Sequence, residues 1–516
     1  MSGPRARLVP CLLAAGSGLL FAAALPGFGV RPLAWVCLTP LALALAHEGV
    51  GAVQAAALGL VAGLVTNLVV ASCLVGTLTR FGSLPTAWAL LGWLLLAAAQ
   101  AGLLAGAAAL AWVAHASAQV PRWLALPAAL VVAEALYPSV FPLYAGNTLA
   151  GATTLVQILD VTGPVGLSFL VGLTSATLAE MLLWLGPRVG PPPWRTALGV
   201  AVVLALVACY GALRLRQLDA AVATAERRLR VGLVQTNEGI FADVDAVRAG
   251  VRRHQAQSVG LAARGVELVV WPESAYNFPL TAGMKDVAVA VLGPVHLPVL
   301  FGGLRLDASG ERRRVFHSAF LADGDGRVLG YYDKRRLVPF GEYVPFDELW
   351  PALGELSPRS GGFSAGQGAP VLLELAGARL AVDICYEDLF PGLLRSRGDG
   401  EPHLLVNLTN DAWFGDPREA VMHRHAASFR AVEQRRFLVR ATNTGVSAVV
   451  NPAGRIVAAL PTGAAGELVY DVALLTGTTW YGRFGDAPFV ALVGVVALVA
   501  GLRSRRERRR VRVASA

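Results

Sequence analysis

The chain has 516 residues, of which 55% are hydrophobic and 15% charged, against about 25% charged in an average soluble protein. That balance excludes a disordered chain and argues against a wholly soluble one. The formal net charge of +9 does not indicate nucleic acid, because residues 503–512 (RSRRERRRVR) hold seven Arg and one Glu and supply +6 of it; a basic run beside an apolar segment reads as a cytoplasmic membrane flank or a solvated tail.

A helix needs about 20 apolar residues to cross the hydrocarbon core. Seven segments of this kind come first, at about 8–25, 30–46, 51–76, 86–115, 122–138, 164–185 and 195–213, and an eighth lies at 487–502. Residues 1–213 are therefore expected to form a seven-helix membrane domain, with a C-terminal membrane helix at 487–502 and a basic cytoplasmic tail at 503–516. The first segment is read as a retained helix rather than a cleaved signal, because further spans follow at once. With the N-terminus inside, Arg5, Arg7, Arg122, Arg188, Arg195 and the Arg-rich tail are all cytoplasmic. The positive-inside rule then puts residues 214–486 on the extracytoplasmic face. Glu134 and Glu180 fall in or near apolar segments, where a carboxylate is costly; an interfacial, hydrated position is the plainer reading for Glu180. The stretch 137–149 (YPSVFPLYAGNTL) is too irregular for a helix and is expected to be re-entrant or surface-lying.

Residues 226–475 read as a water-soluble domain. LRVGLVQT (229–236) is a strand, 242–264 a helix, and ELVVWPES (267–274) a strand running into a turn. PVLFGGLRL, VFHSAFLAD, RVLGYYDK, RLAVDICYE, HLLVNLTND, FLVRATNTG and SAVVNP continue as strands, with a helix at 420–436. Strands alternating with helices predict an α/β layered domain. Cys11, Cys37, Cys73 and Cys209 lie in apolar segments, so Cys385 is the lone thiol of this half. Neither a disulfide framework nor a CxxC metal pair is possible there.

Three of these strands end in reactive side chains: Glu273, Lys334 and Cys385. Sites of α/β proteins gather at strand ends. A nucleophilic thiol must be partly thiolate, which a nearby ammonium favours while a carboxylate takes the proton. The same lysine, with the backbone N–H of Tyr386, suits an oxyanion. Each residue alone reads equally as a solvated end, a surface lysine or a packed cysteine.

Their surroundings are WPES (271–274), YDKRRLVPFGEYVPF (332–346) and DICYEDLFP (383–391), with NDAWFGD (410–416), FRAVEQRRFLVRATNTGVSAVVNPAG (429–454) and WYGRFGD (480–486) elsewhere. In these motifs the soluble half resembles the nitrilase, or carbon–nitrogen hydrolase, superfamily. Over residues 1–502 the chain resembles the bacterial apolipoprotein N-acyltransferases. The resemblance implies an αββα sandwich joined to a polytopic helical membrane domain in the bacterial inner membrane. It implies Glu273 as general base, Lys334 as oxyanion stabiliser, Cys385 as nucleophile and Glu342 as a supporting carboxylate. Tyr386, Glu387 and Trp413 match positions that family needs. Trp413 reads equally as a core or interfacial aromatic, and Glu387 as a brace for the strand end. The implied reaction moves an acyl chain from a phospholipid, through a Cys385 thioester, to the α-amino group of a diacylglyceryl-lipoprotein. No metal, cofactor or nucleic acid is implied, and a monomer suffices. A membrane-tethered hydrolase and an inactive scaffold or transport protein are the rival classes. Residues 278–280 and 350–363 are read as lids or as ordinary surface loops. The chain departs from the family pattern at VQTNEG (234–239), at His317 where Asn is common, at FPLYAG (141–146), which lacks a Trp, and after Glu134, where no Arg follows.

Overall fold

The computed structural model describes all residues except 1–3, 81–83, 187–191, 240–242, 311–312, 346–348, 351–361, 369–370, 396–399, 414 and 515–516. Most of the second expected lid, 350–363, lies outside the described residues. The chain divides into two compact units. One comprises Met1–Val75, Thr86–Arg214 and Phe484–Ala516; the other comprises Gly76–Pro85 and Leu215–Arg483.

The first unit is helical: α1 (Pro4–Ala24), α2 (Thr39–Leu45), α3 (Ala52–Val70), the start of α4 (Cys73–Arg80), α5 (Thr86–Ala116), α6 (Arg122–Leu136), α7 (Leu159–Thr162), α8 (Pro164–Leu185) and most of α9 (Trp194–Ala223), closed by a C-terminal helix Ala487–Ala514. Among the described residues, five helices are long and apolar enough to cross a membrane: Ala52–Val70, Thr86–Ala116, Pro164–Leu185, Trp194–Ala223 and Ala487–Arg506. The segment at 30–46 forms a short 3-10 turn, Arg31–Trp35, followed by the seven-residue α2, together a shorter apolar helix Arg31–Leu45. Pro32 and Pro40 lack the N–H a continuous helix needs there. Likewise α3 stops at Val70, and α4 is separate from it. The helix α3 packs on α5 through Gly59 and Gly63: a Cβ on either would overlap the backbone of Leu104 or Ala101. Small residues four apart let apolar helices approach this closely where no hydrophobic force drives them together.

Both of these carboxylates, Glu134 and Glu180, serve backbone groups. Glu134 Oε1 accepts from Ala145 N at 2.7 Å, where the irregular stretch after α6 turns into the 3-10 turn Ala145–Leu149. Glu180 Oε1 accepts from Trp123 N at 3.1 Å and so caps the first turn of α6.

The second unit is a sandwich of two sheets. Its strands are β1 (Arg228–Gln235), β2 (Leu268–Val270), β3 (Tyr276–Thr281), β4 (Val299–Asp307), β5 (Arg314–Ala322), β6 (Val328–Asp333), β7 (Leu372–Leu375), β8 (Ala378–Ile384), β9 (Leu404–Thr409), β10 (Phe437–Thr442), β11 (Ala448–Val450), β12 (Ile456–Ala459) and β13 (Gly466–Ala473). The first sheet runs β13-β1-β2-β4-β5-β6, with β3 also paired to β4; the second runs β12-β11-β10-β9-β8-β7. Helix α10 (Val244–Ala262) covers the first sheet, where Val251 and Leu261 join Val234, Val269 and Trp271 in one core. Helix α11 (Pro417–Gln434) covers the second, where Ala427 and Ala431 meet Ala381, Leu405 and Leu438. The order helix, sheet, sheet, helix is the αββα sandwich expected.

The strands β8, β9 and β10 are parallel neighbours, covered on both faces. They therefore read as apolar runs rather than alternating ones. The helix α11 begins at Pro417, after the Asp416 cap, and ends where Arg435 turns left-handed at φ +54°. Strands β3, β7, β12 and β13 were not anticipated. They are short, contain a proline (Pro279), or run half-exposed at a sheet edge. Residues 76–85 and 215–225 cluster with the second unit.

Candidate active site

Glu273 stands three residues beyond β2. Its backbone lies directly on β4, where a Cβ at Gly302 would overlap the Glu273 backbone. Gly302 N also donates to Pro272 O at 3.1 Å, fixing the turn. Lys334 is the first residue after β6. Its N–H donates to His317 O and its carbonyl accepts from Gly366 N, each at 2.8 Å. Cys385 is the first residue after β8 and has φ +57°. A left-handed non-glycine residue is strained and signals a position held by its surroundings.

Those surroundings are explicit. The Glu387 carboxylate accepts from Ile384 N at 2.9 Å, Arg335 N at 2.7 Å and Arg336 N at 2.9 Å. It also accepts from the Tyr332 hydroxyl at 3.0 Å. One buried side chain thus joins the ends of β6 and β8, which belong to different sheets, and holds Lys334 and Cys385 in register. Burial pushes the Glu387 carboxyl up to about 7 despite these donors. Tyr386 donates its hydroxyl to Leu337 O at 2.6 Å, and its ring centroid lies 5.8 Å from Lys334 Nζ.

At the centre, Lys334 Nζ donates to Glu273 Oε1 at 2.9 Å and to Glu342 Oε1 at 2.7 Å. Glu342 Oε2 accepts from Val338 N at 2.8 Å, within the PFGEYVPF loop. Exposure is 5% for Glu273, 1% for Lys334 and 7% for Cys385. Burial alone would lower the Lys334 pKa, but the two carboxylates outweigh it and hold the ammonium well above its ordinary value. For Glu342 burial acts upward, and the lysine prevails, keeping it below the usual carboxylate range. Burial pushes the Cys385 thiol up; the charge of Glu273 adds to this, and Lys334 opposes it. Cys385 thus feels Lys334 together with the two carboxylates, Glu273 and Glu342, that share it.

His317 closes one side. Its ring lies 4.0 Å from that of Phe363 and its Nε2 3.6 Å from Glu342 Oε1. Burial lowers its pKa. Ligand atoms of Glu273, His317 and Glu342 lie within 4.8 Å of one another. The Lys334 ammonium, bonded to both carboxylates, already supplies the positive charge a metal would bring there.

The structure brings together Glu273, Lys334, Cys385, Glu342, Tyr386 and Glu387. Trp413 lies apart from this hydrogen-bonded set, in the short turn Asp411–Trp413; its carbonyl accepts from Thr77 Oγ1 at 3.0 Å. A buried ionic cluster behind Cys385 escaped sequence reading. Arg440 bonds Asp388, Asp411 and Asn407, and His423 bridges Asp388 and Asp411. Asn407 Nδ2 in turn donates to the Cys385 carbonyl at 3.0 Å. An Asn and an Arg inside the apolar strands β9 and β10 were the available signal.

Residues 230–481 match the family model described as carbon–nitrogen hydrolase, and residues 17–177 match that of the apolipoprotein N-acyltransferase N-terminal domain. The apolipoprotein N-acyltransferase of Geobacter metallireducens is 32% identical over 96% of this chain and 95% of its own. That of Gloeobacter violaceus is 32% identical over the same shares. That of Bradyrhizobium diazoefficiens is 34% identical over 73% of each chain. Membrane helices, a two-sheet hydrolase domain and a buried Glu–Lys pair beside a cysteine thus occur in one sequence that aligns with these enzymes nearly end to end, and the chain belongs to the apolipoprotein N-acyltransferase family.

Proposed function

We propose that this multi-pass inner-membrane enzyme transfers an acyl chain from a phospholipid to the α-amino group of a diacylglyceryl-cysteine at a lipoprotein N-terminus, working as a monomer with its catalytic domain on the extracytoplasmic face. The observation that carries this reading is the Lys334 ammonium bonded to Glu273 and Glu342 beside the strained Cys385. The orientation rests on the distribution of Arg around the apolar segments.

In the first step Glu273 takes the Cys385 proton and the sulfur attacks the donor ester carbonyl carbon. The oxyanion is held by the Lys334 ammonium and the Tyr386 N–H. The C–O bond breaks, and the leaving lysophospholipid oxygen takes the proton from Glu273. A thioester remains. In the second step the neutral amine attacks the thioester carbon and gives a proton to Glu273. The C–S bond breaks and the sulfur recovers that proton. Burial of all three side chains suits a transferase, which must keep water from the thioester. Glu387 and Tyr386 act by holding the two strand ends, and Trp413 is a candidate for substrate contact.

The test uses the full-length protein with a phospholipid carrying a labelled acyl chain. Intact-protein mass should show one added chain, absent in Cys385→Ala and removed by hydroxylamine. A diacylglyceryl-cysteine peptide should then receive that chain on its amine. Discharge to water alone would instead make the chain a hydrolase, and no adduct from folded protein would defeat the proposal.

A further inference from the structure

Among the described residues, the buried side-chain oxygens without a hydrogen-bond partner include Glu273 Oε2 and Thr409 Oγ1. The first is accounted for, since the base must keep an oxygen open for the thiol proton. The second is not used by any step above. A buried hydroxyl left without a partner is unfavourable, so its position calls for an acceptor that arises during the reaction.

Backbone register places Thr409 beside the nucleophile. The parallel pair β8 and β9 sets Ile384 opposite Leu408. Cys385 and Thr409 are the next residues along the two strands, at adjacent strand ends. The end of β9 is held firmly. Asn407, two residues earlier on the same face, donates to the Cys385 carbonyl at 3.0 Å and to Asp383 Oδ1 at 2.7 Å, and accepts from Arg440 Nη1 at 2.7 Å. The charged groups acting on the sulfur are Glu273 and Glu342, which oppose ionisation, and Lys334 and Arg440, which favour it. Lys334 is already bonded to both carboxylates and Arg440 to Asp388, Asp411 and Asn407. Toward an ionised sulfur the Thr409 hydroxyl is placed as a hydrogen-bonding group, which favours that form.

We propose that Thr409 is a further catalytic residue, whose hydroxyl donates a hydrogen bond to the Cys385 sulfur when it is a thiolate. This inference rests on Cys385 as the nucleophile. The thiolate forms twice in the cycle: before attack on the donor ester, and when the amine expels sulfur from the acyl carbon. A thiol is a poor acceptor and a thiolate a strong one, so the bond forms mainly when charge develops. A donor fixed in advance and aimed at developing charge lowers the barrier without reorganising.

The experiment compares full-length wild type, Thr409→Val, Thr409→Ser and Thr409→Ala in detergent. Iodoacetamide labelling of the Cys385 peptide is followed by mass against pH, together with the rate of acyl-enzyme formation from labelled phospholipid. Thr409→Val should label about 10–30-fold more slowly at pH 7.5, with its titration shifted upward by about one unit. Acylation should slow by a similar factor, with the donor concentration for half-maximal rate within about twofold of wild type. Thr409→Ser should stay within about threefold of wild type, since it keeps the hydroxyl. A folded Thr409→Val with wild-type labelling and acylation overturns the proposal. If the valine variant does not fold, Ser against Ala is decisive: equal rates overturn the proposal, and a tenfold gap supports it. Labelling does not depend on the lipid donor. A Thr409-dependent labelling profile with no acyl-enzyme would therefore uphold this inference while refuting the phospholipid reading.

Discussion

The Lys334 ammonium lies nearer to Glu342, at 2.7 Å, than to Glu273, at 2.9 Å. Glu342 thereby takes a share of the lysine charge that would otherwise fall wholly on the base. Glu342→Gln removes that competitor, and Lys334 then binds Glu273 more tightly. The base becomes weaker, and acyl-enzyme formation should fall by about 10–100-fold. Single-turnover mass measurement checks this; an unchanged rate would mean that Glu342 only supports its loop.

Lys334→Met should be more damaging. It leaves two buried carboxylates facing a buried thiol with no counter-charge. Breaking one side of a buried ion pair costs about 3–5 kcal/mol, so the melting temperature should drop. No acyl adduct should form at any donor concentration. Adduct formation at near wild-type rate would remove Lys334 from the oxyanion role.

Gly302 is far in sequence from any catalytic residue, yet it should behave as one under mutation. A Cβ there meets the backbone of Glu273 well inside contact distance. Gly302→Ala must displace the Glu273 backbone from its present position. Displacements of about 1 Å cost about 100-fold in rate, whereas overpacking costs about 1–3 kcal/mol of stability. Activity should therefore fall more than the melting temperature suggests, and parallel rate and melting measurements would reveal this split.

The cluster behind Cys385 makes stability depend on pH. For His423, burial and Arg440 act downward, but the carboxylates of Asp388 and Asp411 prevail and raise its pKa to about 9. A histidine raised above its unfolded value of about 6.5 binds its proton more tightly when folded. Its contribution is complete below about pH 6.5 and is lost as pH rises through 9. The full effect is on the order of 3 kcal/mol. Melting temperature should fall over that window in the wild type. In His423→Gln the curve should start lower and stay flatter; parallel curves would show that His423 does not titrate there.

Much of the site was legible because its chemistry sits at strand ends. Glu273, Lys334 and Cys385 each close an apolar run, and such runs can be read without knowing the neighbours. The brace by Glu387 was one of two readings open from sequence, and its four accepted hydrogen bonds show how it holds the strand ends. The Asp388–Asp411–His423–Arg440 cluster was not legible. Its members come from four elements, and only the pairing of β8, β9 and β10 brings them together. Strand β13 was missed for a related reason, since it exists by antiparallel pairing with β1, more than 200 residues earlier. In the membrane half, composition marked the apolar segments, but Pro32 and Pro40 decided where the helix at 30–46 gives way.

Residues 76–85 cluster with the hydrolase fold although they lie between two apolar helices of the first unit. Thr77 reaches the carbonyl of Trp413, and Gly415 approaches the guanidinium of Arg80 so closely that a Cβ would overlap it. The catalytic body is therefore assembled from two separate stretches of chain. A water-soluble fragment cut at residue 215 or 226 would lack one of its own pieces, next to the NDAWFGD turn. Excision at either point would separate the fold from a segment that clusters with it.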